Sequence, residues 1–298
     1  MNVLAPTPPR AAPASTTLDL ALLQRRVGEL PALPQAVLQV MAILKREDSS
    51  DDDCAACIER DQAMTARTLR LANSAFYGVP GRVATIRDAI HILGRRSLGA
   101  LLTTAAVSAQ FDRKRCPGFD FGAFWRHALA SAIAAQSLAR ELDADDELAF
   151  TAGLLHDIGR LALATYFPAE LGTVLARARA EDAPLRDVER ALLGVDHAQV
   201  GAMIAMHWRF PASVAQAINE HHAPRGPNDS AAPPALAELV HLADAMVHAL
   251  DLSAADDEAV PEIEASTWAR LELTPEQCGR VFERTETGVA ALCQALAI

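Results

Sequence analysis

The sequence predicts an all-α protein. Aromatic residues make up only 5% of the chain, so the bulky β-formers are scarce, while alanine and leucine are abundant. Apolar positions recur at helical spacing, and no segment alternates as a half-buried strand would. With 51% hydrophobic and 22% charged residues, the 298-residue chain is globular and can bury a sizeable core, in one large or two medium domains.

Each element follows from local signals. Residues 1–18, beginning MNVLAPTPPRAAPASTT, are rich in Pro, Ala and Thr, lack the apolar segment of a secretory signal, and read as a flexible arm. LDLALLQRRVGEL places apolar positions at helical spacing until Leu30-Pro31-Ala32-Leu33-Pro34 breaks the helix. QAVLQVMAILKRE is the next helix, and Ser49 to Asp53 supply acceptors that cap a third, CAACIERD. AMTARTLRLANSAF ends near Tyr77-Gly78, with a turn at Pro80-Gly81. IRDAIHILG and RRSLGALLTTAAVSAQF complete a first lobe, residues 19–115, with DRKRCPG at 112–118 as the boundary.

A second lobe, residues 116–250, opens with FGAFWRHALASAIAAQSLARELD and continues as one helical stretch through DDELAFTAGLLHDIGRLALATYF. AELGTVLARARA, LRDVERALLG, DHAQVGAMIAMHW, ASVAQAINEHH and ALAELVHLADAMVHAL follow. The extension 251–298 is acidic and then helical around STWARLEL and PEQCGRVFERTETGVAALCQAL, where Thr274-Pro275-Glu276 offers an N-cap with Pro at N1. The link is short and the flanking helices apolar, so the lobes are expected to pack together.

Several function classes are disfavoured. A net charge of -11 works against non-specific binding to phosphate backbones or anionic membranes. No apolar run is long enough to cross a bilayer, and five scattered cysteines (Cys54, Cys57, Cys116, Cys278, Cys293) suit a reducing compartment, so a cytoplasmic location is expected. Cys54 and Cys57 form a CxxC without a second pair to complete a zinc site, and read as buried structural thiols. IERDQAMTARTLRLANSAFYG imitates a helix-turn-helix with Arg60, Arg67 and Arg70 toward phosphate. The arginines read instead as a solvated face, Leu69, Leu71, Ala72 and Phe76 as core, and Asn73-Ser74 as a tie on the helix end, so DNA is not the expected partner.

The histidines carry the functional signal. Eight of the nine fall between residues 120 and 250. His127 lies mid-helix behind Trp125, His156 and Asp157 lie mid-helix within the apolar GLLHDIG, His197 follows a helix start, His221 and His222 end a helix, and Asp244 interrupts an apolar one. Imidazole and carboxylate ligands suit iron, manganese, zinc or nickel, and several helices can each lend one or two to a common centre. Taken singly, each residue has another reading. His127 would serve as a hydrogen-bonded core residue, His221 and His222 as partners of a helix C-terminus, and Asp244 as a partner of His241 or an exposed acid. His91, His207, His241 and His248 read as structural.

The order of LPALP, IERDQAMTARTLRLANSAFYG, AIHILG, FWRHALASA, AFTAGLLHDIGRL, GVDHAQVGAMIAMHWRFP and INEHH resembles the HDOD domain, a relative of the HD and HD-GYP phosphohydrolases of bacterial signalling, over about residues 25–250. The resemblance implies a two-lobed helical fold and a signal-transduction role. By similarity to HD-GYP relatives, His127, His156, Asp157 and Asp244 match the ligands of one metal, and Asp157 would bridge to a second held by His197, His221 and His222. A binuclear iron or manganese centre is therefore expected, with nickel or zinc as alternatives.

Three positions depart from the HD-GYP pattern: Arg160 replaces the lysine after HDIG, Ala123 replaces an acid one turn before His127, and HHAPRGPND replaces the GYP segment. Hydrolysis of cyclic-di-GMP is accordingly expected to be absent or very weak. Two functions remain in view. One is a regulatory module that binds a signalling protein or a small phosphorylated ligand. The other is a metal-dependent phosphohydrolase in which Asp157 serves the metals and Arg160 the phosphate.

Overall fold

A computed structural model describes residues 17–44, 46, 48–73, 83–111, 116–226, 232–252 and 260–296. Sixteen helices and no strand occur among them. Residues 1–16 of the expected arm (1–18), Ser74, Phe76, the turn at Pro80-Gly81 and the DRKR part of the link lie outside the described residues, as do the side chains of Arg67 and Leu71.

The chain opens with α1 (Leu20–Gly28), capped by Asp19. Five helices follow: α2 (Gln35–Leu44), α3 (Asp51–Glu59), α4 (Gln62–Ala72), α5 (Ile86–Leu93) and α6 (Arg95–Ser108). Helix α3 starts at a capping box in which Ser50 and Asp53 satisfy each other's backbone N–H. Cys54 and Cys57 are both buried and free, and burial pushes the Cys54 thiol up to about 11, which suits packing rather than reactivity. Arg60 and Arg70 are exposed, Ala72 is buried, and Asn73 ties the end of α4 to Val83 through hydrogen bonds in both directions (2.8 and 3.0 Å).

The remaining helices are α7 (Phe121–Glu141), α8 (Asp146–Leu155), α9 (Ile158–Tyr166), α10 (Pro168–Glu181), α11 (Leu185–Leu193), α12 (His197–His207), α13 (Ala212–Glu220), α14 (Leu236–Ala249), α15 (Ala265–Leu271) and α16 (Pro275–Leu296). Helix α7 is buried on almost every side. Its alanines at 128, 130, 132, 134, 135 and 139 let α8, α14 and α16 pack directly against it, since small side chains shorten the distance between helix axes. Thr274 caps α16 as its sequence implies, and Arg280 and Arg284 fasten that helix to Glu141 at the end of α7.

One apolar core runs from the helices before residue 112 to those after residue 118, from Val37, Ile58 and Leu98 to Leu129, Leu155 and Ile204. A second lies between α7, α14 and α16. Helix α1 packs on α12 rather than only on its neighbours in sequence. The LPALP segment that follows is held by two side chains at the C-terminal end of α12: His207 donates to the Leu30 carbonyl (2.9 Å) and Trp208, the cap residue, to that of Pro31 (3.1 Å). Leu18 is likewise pinned, its N–H donating to the Leu193 carbonyl.

The stretch 145–167, expected as one helix, is two. Helix α8 ends before His156, which keeps helical dihedrals, and the chain leaves helical geometry at Asp157, with φ -101° and ψ 10°, before α9 begins. The two glycines of GLLHDIG explain why. A Cβ at Gly153 would sit 2.6 Å from the Ser131 carbonyl of α7, and one at Gly159 would collide with the His197 carbonyl and lie 2.8 Å from the Gly201 nitrogen of α12. Helix α8 is thus pressed onto α7 and α9 onto α12, each contact open only to a residue without a side chain.

Candidate metal centre

Five structural elements converge on one point. Helix α7 supplies His127, the α8–α9 junction His156 and Asp157, the first turn of α12 His197, the end of α13 His221 and His222, and α14 Asp244. Three sets of ligand atoms lie within 4.8 Å of one another: His127, His156 and Asp244; His156, Asp157 and His221; and His197, His221 and His222. All seven residues named from the sequence are therefore brought together. His127 Nε2 is 3.0 Å from Asp244 Oδ1 and 3.2 Å from His156 Nε2. His197 Nε2 is 2.7 Å from His222 Nε2. Asp157 lies between the two groups, with Oδ1 toward His197 (3.2 Å) and His221 (3.8 Å) and Oδ2 toward His156 (3.8 Å).

The ring orientations are fixed from outside. His156 Nδ1–H donates to the Gly153 carbonyl and His221 Nδ1–H to that of Ile218, each at 2.7 Å. A carbonyl oxygen only accepts, so both neutral rings carry their lone pair on Nε2, aimed inward. Burial lowers the pKa of both rings, that of His221 to about 3, and also lowers that of His222. Burial opposes ionisation of Asp157 and Asp244, but His156, Arg160 and His197 around Asp157, and the hydrogen bonds from His127 and His248 to Asp244, outweigh it and hold both well below the usual carboxylate range. His221 Nε2 is buried and without a hydrogen-bond partner. Inward lone pairs facing two ionised carboxylates make a site that a cation completes, and outward Nδ1–H bonds of this kind hold imidazoles as metal ligands.

His197 differs. Its Nδ1 meets the Glu189 carboxylate at 2.6 Å and its Nε2 faces Asp157, so although burial disfavours the charged ring, the two carboxylates raise its pKa. A proton on its Nε2 stands where a metal would. Arg160, expected on a phosphate, places Nη1 2.8 Å from Asp157 Oδ2, with its side chain 26% exposed. Ala123 is buried one turn before His127.

Two readings of single residues are corrected. Asp244 pairs with His127 and His248, not with His241, whose Nδ1–H donates to the His221 carbonyl (2.7 Å) while its Nε2 accepts from the Glu264 N–H (2.9 Å). His156 and Asp157 are at a helix junction rather than mid-helix, which turns both side chains to one centre. Two neighbours of the site stand outside the seven: His248, which the sequence gives only a structural role, and Glu189, which the sequence reading misses. His248 Nε2 is 3.3 Å from Asp244 Oδ1, and its position one turn after Asp244 was a visible signal. Glu189 falls on the same helical face as Val188, Leu192 and Leu193, so an acid was legible on an apolar stripe.

The HDOD domain model matches residues 30–224. The chain belongs to the HDOD family. Six of the seven clustered residues lie within that match, and Asp244 on α14 lies beyond it. A candidate phosphohydrolase from Shewanella amazonensis is 29% identical, with a TM-score of 0.66 over 92% of this chain and 98% of its own. A candidate signal transduction protein from Marinobacter aquaeolei has the same fold at 23% identity, with a TM-score of 0.76 over 93% of this chain and 65% of its own. An uncharacterized protein of Treponema pallidum is 28% identical over 215 residues, 70% of this chain; the chain spans 40% of that curated relative's length. No helix among the described residues of this HDOD protein is long and apolar enough to cross a membrane.

Proposed function

We propose that this HDOD protein works in signal transduction as a metal-containing regulatory module. His127, His156, Asp157 and Asp244 would hold one divalent cation, and Asp157, His197, His221 and His222 a second, with iron or manganese suiting the mixed imidazole and carboxylate set and nickel or zinc as alternatives. The observation that carries this reading is the inward pair of His156 and His221 lone pairs facing Asp157, with His221 Nε2 buried and unpartnered. Bound there, the cations would supply positive charge for an anionic ligand and acidify a water. The chain's own residues orient the ligands and close the site. His222 and Arg160 are only part-buried, so a small phosphorylated ligand or a protein partner would approach from their side.

Regulation is favoured over hydrolysis because Arg160 is engaged by Asp157, and its planar fork holds an anion without the reach of a lysine. The phosphohydrolase reading draws on the complete ligand set and on the candidate phosphohydrolase to which the chain is 29% identical. Elemental analysis of protein purified with and without chelation tests the centre, and two equivalents of metal are expected without it. Protein loaded with iron, manganese or nickel is then assayed on bis(p-nitrophenyl) phosphate and cyclic-di-GMP. Absent or very weak turnover supports the regulatory reading. Robust turnover that disappears in both His156→Ala and Asp157→Ala, with the fold intact, establishes the enzyme instead.

A further inference from the structure

Glu189 is 0% exposed, yet it sits on α11 within an otherwise apolar face. Its Oε2 accepts twice from one residue: from the backbone N–H of His197 (2.9 Å) and from that residue's ring Nδ1–H (2.6 Å). Its Oε1 is buried with no hydrogen-bond partner. A carboxylate kept in the interior on two donors is expensive, and packing alone would be served as well by leucine. What the acid accomplishes is geometric: it grips the first residue of α12 by backbone and ring at once, leaving Nε2 aimed at Asp157 and His222.

We propose that Glu189 is the positioning residue for the second cation, completing a Glu189–His197–metal relay that the first cation lacks. The counterparts of Glu189 at His156 and His221 are backbone carbonyls. A carboxylate partner makes an imidazole a stronger ligand, so loss of its charge should weaken the metal on His197 selectively. This inference rests on the two-cation reading above.

The test is competition titration of full-length, metal-stripped protein with manganese and zinc, comparing wild type with Glu189→Gln and Glu189→Asp. Expected is a loss of about 10–100-fold in affinity at one of two sites, the other unchanged, with Gln weaker than Asp because it lacks the charge. Melting of the stripped proteins, followed by circular dichroism, separates positioning from folding, since a purely structural Glu189 lowers the melting temperature and leaves metal affinity alone. If wild type binds no metal, the centre itself fails. If wild type binds two ions and both variants bind them as tightly, or if both sites weaken equally, the assignment to Glu189 is overturned. Should Glu189→Gln not fold, the Glu189→Asp titration decides by the same criterion.

Discussion

Asp157 is the residue on which the centre turns, because its two oxygens face different groups of histidines. Asp157→Asn keeps the shape and removes the charge, and metal content should fall from two equivalents toward none by elemental analysis, whereas His222→Ala should spare the first ion. Protons compete with the fold at the same residues. Unfolded, the His221 ring titrates near 6.5; folded, it resists protonation until about 3, with His156 and His222 shifted in the same direction. The contribution of these rings is therefore fully present above pH 6.5 and drains as pH falls toward 3, while His197, raised by Glu189 and Asp157, contributes in the opposite sense. Metal-free protein should lose melting temperature steadily over that interval, and a flat profile would show that the rings are not buried neutral. Cysteine labelling gives an independent check on burial: Cys278 and Cys293 should react with a thiol reagent at pH 8 before Cys54, Cys57 and Cys116.

Among the helices, the α8–α9 junction decides whether the ligands meet. Gly159→Ala forces a methyl into the His197 carbonyl where α9 crosses α12, and overpacking of this kind costs about 1–3 kcal/mol. The denaturation midpoint should drop accordingly and metal affinity with it, since both Asp157 and His197 flank the contact. The helices themselves were legible from apolar spacing and caps, as at Ser50 and Thr274. The junction was not, because AFTAGLLHDIGRLALA has unbroken helical periodicity. Only close approach to α7 on one side and α12 on the other breaks it.

Across the whole molecule, one apolar core joins α2, α3 and α6 to α7, α8 and α12, and α16 covers the helix that carries His127. A single cooperative unfolding transition is expected by calorimetry, with two resolved transitions as the contrary result. Removing residues 275–298 uncovers the apolar cluster of Ala134, Leu138 and Leu242 and should lower that transition or abolish folding.

By itself the sequence determined the helical class, most helix positions and the seven residues of the candidate centre. Periodicity, capping and motif order are local in the chain and survive without coordinates. The tertiary structure decided what depends on contacts between distant segments: the break at His156-Asp157, the packing of α1 on α12, and the partners of each imidazole. Glu189 and His248 show the difference. The first had a visible position on a helix face, but its hold on His197 followed from the turn that brings the start of α12 back to α11, which helix spacing does not encode; the second pairs with Asp244 one turn away on the same helix, which spacing does encode.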